Sequence, residues 1–158
     1  MDLSIYSKQL ETYLNNHGID ATVEFDSTSH SHCIRFTTTR ERTIFVGFDD
    51  ILTDYALVAS MILAYTQIDQ QIESDSNKCE IKRINNNEVS INLTVNANIK
   101  DTTVKLASGT ELFIELFDPY SKLDLTFSRS KTISRANLNS ELKNEVQAII
   151  ADVKQYCV

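Results

Sequence analysis

Residues 49–72 read DDILTDYALVASMILAYTQIDQQI, and whether this run is helix or strand decides the fold. It lacks Gly and Pro and is rich in Ala, Leu and Met, which favours helix. Asp49 and Asp50 stand just ahead of the apolar part, where carboxylates accept unpaired N–H groups and face the positive end of the helix dipole. On a helix, Ile51, Tyr55, Val58, Ile62 and Tyr65 form one stripe, which Leu52, Ala59 and Leu63 broaden. No wide polar face is left, so a central helix over about 50–72 is expected to be buried on more than one side. Its uncharged part, Tyr55 to Ile68, is shorter than the roughly twenty residues that a membrane span needs.

The chain before this helix changes period. Leu3, Tyr6, Leu10, Tyr13 and Leu14 recur at helical spacing, Asp2 can cap the start, and Gly18 supplies a stop. Ala21, Val23 and Phe25 then alternate with Thr22 and Glu24, and His32, Ile34 and Phe36 with Cys33 and Arg35, while Thr43–Phe48 is expected as a third strand with Ile44, Val46 and Phe48 facing inward. Three short strands joined by polar turns read as an antiparallel meander. Beyond the helix, Ile81 and Ile84 mark a short strand, and Asn85–Asn87 a turn. Val89, Ile91, Leu93, Val95, Ala97 and Ile99 alternate with Ser, Asn and Thr, the cleanest strand signal in the chain. Weaker strands are expected at Thr102–Ala107, Leu112–Phe117 and Leu123–Ser128, with turns at Ser108–Thr110 and Asp118–Tyr120. A last helix, capped by Asn139 or Ser140, carries Leu142, Val146, Ile149, Ile150, Val153 and Tyr156 on one side. The fold class is α+β with antiparallel sheet: helix, three strands, helix, four to five strands, helix.

With 158 residues, 42% hydrophobic and 23% charged, the chain is expected to form a single soluble domain spanning 1–158. No Gly- or Pro-rich linker marks a boundary, and no basic stretch leads into an apolar one at the N-terminus, so no secretory leader is expected. Cys33, Cys79 and Cys157 are odd in number and lack CxxC spacing, which suits reduced thiols in the cytoplasm. The net charge is −7. Residues 1–80 hold 13 Asp/Glu against 5 Lys/Arg, and residues 81–158 hold 9 against 10. An acidic first half disfavours direct binding to nucleic acid.

Candidate chemistry is sparse. His30, His32 and Cys33 have metal-ligand character, but no further His/Cys pair lies near in sequence, so no metal and no cofactor is expected. Asp49, Asp50 and Asp54 lack the spacing of a calcium loop, and Asp49 and Asp50 read as helix caps. There is no GxSxG and no Gly-rich loop opening a helix, so no catalytic residue is singled out. Arg129, Lys131 and Arg135, with no acid among them, read as a solvated loop rather than a phosphate holder.

CysIleArgPhe (33–36), a short turn, ThrIlePheValGlyPhe (43–48), then an acid pair before an apolar helix resemble the class I chaperones of type III secretion. Those are small acidic cytosolic homodimers that hold an unfolded stretch of a secreted protein against the meander and first helix. The resemblance therefore implies a protein partner, a second copy of the chain, and no membrane. Residues 100–130 add strands that the family lacks, and its Gly-rich connection after the central helix is missing.

The reading that follows is a non-enzymatic protein-binding module, secretion-chaperone-like, acting through a sheet face or edge on a partner with a basic or mixed surface. Asp49, Asp54 and Asp69 are its expected partner-binding residues. One alternative is an acidic inhibitor or immunity protein, of phage or mobile-element type, that blocks a nuclease or a nucleic-acid-handling complex. Another is a small-molecule binder or enzyme without a visible motif.

Overall fold

Spacing of three and four residues puts Ser7, Leu10 and Leu14 on one buried side of the first helix, α1 (Ser4–Asn16), in the computed structural model of the chain. The structure describes residues 4–47, 54–72, 74, 76–98, 109–116 and 123–156, and only the backbone at 97, 98, 112–116, 123–125 and 156. Helix α1 ends as its Gly suggests: Gly18 takes φ +78°, and the Ile19 N–H reaches back to the Leu14 carbonyl at 2.9 Å.

Residues cluster into two compact units, Met1–Leu63 and Ala64–Val158. The division falls inside helix α2 (Tyr55–Gln71), which is why no linker composition announced it. In the first unit, β1 (Ala21–Asp26), β2 (Ser31–Thr37) and β3 (Glu41–Gly47) form an antiparallel sheet in that order. Ile34 sits between Val23 on β1 and Ile44 on β3, and α1 packs on β1. Asp26 closes the first turn by accepting the Thr28 N–H at 3.1 Å and the Ser29 hydroxyl at 2.7 Å.

Helix α2 buries Leu57, Val58, Met61, Ile62, Ala64, Tyr65 and Ile68, as its apolar content requires, and Ile72 just past its end is buried too. It is not buried all round. Leu63 is 53% exposed and lies on one strip with Gln67 and Gln70, which are exposed as well. Those polar residues gather four and seven positions after Leu63, so the expectation that Leu63 belongs to the core is corrected. Asp54 accepts the Leu57 N–H on its backbone carbonyl at 3.1 Å just before the helix; Asp49 and Asp50, the expected caps, lie outside the described residues.

In the second unit, β4 (Lys78–Arg83), β5 (Glu88–Asn98), β6 (Thr110–Leu116) and β7 (Leu123–Ser134) form an antiparallel sheet in the order β4-β5-β7-β6. Helix α3 (Leu138–Tyr156) packs on β5 and β7. Val89, Ile91, Leu93 and Val95 are all buried while Ser90, Asn92, Thr94 and Asn96 are half-exposed, so the alternation along β5 is kept. At the Asn85–Asn87 turn, Asn85 Oδ1 accepts the N–H groups of Asn87 and Glu88 at 2.8 and 2.9 Å. The expected strand at Thr102–Ala107 and turn at Asp118–Tyr120 lie outside the described residues.

Boundaries move, beginning with β6, which starts at Thr110 rather than Leu112. Strand β7 runs on to Ser134, because pairing with β5 continues through Lys131↔Ile91 to Ser134↔Glu88. Helix α3 starts at Leu138, after a 3-10 turn at Arg135–Asn137, so Ser140 is a helical residue whose hydroxyl donates to the Asn137 carbonyl at 3.1 Å.

Candidate functional site

The two outer edges of the first sheet are finished differently. On β1, the Val23 N–H points away from β2 and donates to Glu11 Oε1 on α1 at 3.0 Å. A carboxylate from the covering helix therefore takes up one outward N–H in the middle of that edge. The same bond fixes the phase of the sheet. With Val23 facing outward, Val23–Ile34 is the non-bonded pair on that side, so Ile34 exchanges its bonds with Ile44. Alternation then turns the main-chain N–H and C=O groups of Thr43 and Phe45 away from β2, along the outer edge of β3.

No described strand pairs with that edge. No side chain of β3 is buried. Phe45 is 60% exposed on the face opposite α1, and Ile44 and Val46 on the inner face are only half-buried. The expectation that Ile44 and Val46 are core residues is thus met in direction but not in coverage. Phe45 was missed. The signal available was the unbroken Ile44-Phe45-Val46 run, where a half-buried strand would alternate.

Other candidates fall elsewhere. Asp54 and Asp69, two of the expected partner-binding residues, are buried, at 2% and 3% exposure; Asp49, the third, lies outside the described residues. Asp69 accepts from Asn77 Nδ2 at 3.0 Å, and the same nitrogen donates to the Ile72 carbonyl at 3.0 Å, which ties off the end of α2. His30 sits in the β1–β2 turn at φ +55°, edge-on to Phe25, rather than sharing a strand face with His32. His32 is fully buried, with Nδ1 2.6 Å from Ser7 Oγ. Burial pushes its imidazole below the usual histidine range. Cys33 and Cys79 are buried free thiols, and burial with the neighbouring Glu80 pushes Cys79 up to about 12. Among the described residues, no three His, Cys, Asp or Glu side chains gather to hold a metal ion, and no helix is long and apolar enough to cross a membrane.

The cationic group is no loop. Arg129 and Lys131 lie two apart on β7 and meet acids four apart on α3. Arg129 Nε donates to Glu145 Oε2 at 2.6 Å, its Nη1 to Thr110 Oγ1 at 2.6 Å, and Lys131 Nζ lies 3.1 Å from Glu141. These charges hold a helix to its sheet.

No protein-family model matches the chain, and neither a curated protein nor a solved structure does.

Proposed function

We propose that the chain is a non-enzymatic protein-binding module that takes up an extended segment of a partner protein along β3. One observation carries this reading. The Thr43 and Phe45 main-chain groups face outward beside three poorly covered apolar side chains, while on the opposite edge of the same sheet Glu11 takes the outward Val23 N–H. Strand addition satisfies such groups with main-chain bonds and adds apolar contact alongside them. A secretion-chaperone-like role is one use of this edge, since a chaperone of that kind must hold a client segment before it folds. The proposed setting is the cytoplasm, where the buried Cys33 and Cys79 thiols stay reduced.

The test is capture from the native host by wild-type chain and by Phe45→Pro. Proline at 45 removes one outward N–H and no bond to β2, so the sheet is expected to persist. Partners that copurify with wild type and are lost with Phe45→Pro support the reading; partners retained by the Pro variant sink it. An acidic inhibitor would behave otherwise, losing affinity steeply with added salt and ignoring the Pro substitution.

A further inference from the structure

Strand addition at β3 constrains which segments fit. An antiparallel newcomer places each residue opposite one of β3, with side chains of opposed residues on the same face. If residue a lies opposite Phe45, then a−1 lies opposite Val46, a+1 opposite Ile44, and a+4 opposite Glu41. Phe45 is exposed on the outer face, and Val46 and Ile44 are half-buried on the inner face. Apolar contact is therefore gained on both faces at once, which an ordinary alternating strand does not use.

The charge at the other end of β3 has a sign. Glu41 is exposed, in register with Thr37, and makes no ion pair among the described residues. On the face that carries Phe45 and Glu41, Glu24 and Asp20 are exposed acids and Arg35 an exposed base, while Arg42, half-buried on the other face of β3, and Arg40 in the preceding turn flank Glu41 along the chain. The whole unit Met1–Leu63 holds nine Asp/Glu and four Lys/Arg. A cation opposite Glu41 is favoured by both its direct neighbour and this field.

We infer that the segment recognised by β3 carries three consecutive apolar residues, two residues of any kind, then Lys or Arg. This specificity rests on the reading of β3 as the docking edge. It is tested with a displayed library of random twelve-residue segments selected on the full-length chain. Wild type should enrich the apolar triplet with Lys or Arg three places after its last residue, by roughly two- to fivefold at the charged position, the range of a cross-strand ion pair. Glu41→Lys should keep the triplet and exchange the cation for Asp or Glu. Phe45→Pro, checked for an unchanged melting temperature, should lose the selected segments, with Thr43→Pro taking its place if Phe45→Pro melts early. A triplet with no charge preference, or one unaltered by Glu41→Lys, overturns the inference and leaves the docking edge standing. A pool that enriches no segment dependent on Phe45 or Thr43 overturns both.

Discussion

Arg129 and Glu145 form a near-buried ion pair between β7 and α3, with Nε to Oε2 at 2.6 Å and side chains 10% and 8% exposed. Burial alone would push the Glu145 carboxyl up, but the hydrogen bond and charge of Arg129, with Lys131 beside it, outweigh burial and hold it below the usual carboxylate range. Removing Arg129 takes away the closest and most buried partner of Glu145 and leaves the carboxylate only the half-exposed Lys131 at 3.5 Å. Arg129→Leu is expected to destabilise the second unit by about 3–5 kcal/mol, and Arg129→Leu with Glu145→Leu by much less. Urea unfolding of the three chains checks this; a double variant as unstable as the single would show that packing, and not the stranded carboxylate, sets the loss.

His32 gives the first unit a pH dependence of definite sign. Its folded pKa lies below the unfolded value of about 6.5, so the unfolded chain binds the extra proton between those two values. The contribution is complete above about pH 6.5 and is lost as pH falls toward the folded pKa. A variant with Ser7→Ala and His32→Leu removes both partners of the buried bond. The stability difference, wild type minus variant, should shrink from pH 7 to pH 5, read by denaturant midpoints. A constant difference would mean that His32 protonates freely in the folded state.

Adjacent residues on α2 should differ sharply. Ile62 is 3% exposed and Leu63 is 53% exposed. Ile62→Ala is expected to cost about 2–5 kcal/mol through lost burial and a cavity. Leu63→Ala should stay within about 0.5 kcal/mol, as for an exposed position. Thermal and urea unfolding of the pair would expose an error in the helix phase at once.

Freeing the outward N–H on β1 is a further test. Glu11→Ala leaves the Val23 N–H without its acceptor and is expected to cost about 1–3 kcal/mol. It should also raise self-association, because β1 then presents a bare strand edge. Light scattering during storage reads this out, and unchanged scattering would show that α1 blocks the edge by bulk instead.

Much of the fold was legible because its periods are clean. Alternation along β5 and the helical spacing of Leu10 and Leu14 each name a buried face directly, whereas Ser7, buried beside them, is polar and stood outside the apolar stripe. The candidate site was less legible, for a physical reason. Asp54 and Asp69 looked like surface charge, since burial of a carboxylate depends on partners distant in space; for Asp69 that partner is Asn77, across the end of α2. The cations Arg129 and Lys131 misled in the same way. Their acids lie on α3, and a strand period of two matched to a helix period of four was the overlooked clue. The position of β3 at the edge depends on strand order, which no local pattern encodes.

The Glu11 carboxylate on β1 also sets a stoichiometry. A sheet with two bare edges could be extended from either side, and each newcomer would offer an edge to the next, as in a growing fibril. With the Val23 N–H taken by its own helix, β1 is the less open of the two edges, and extension is favoured at β3. On the proposed docking at β3, a short client segment whose own outer edge is blocked by proline should saturate at one per chain without light scattering.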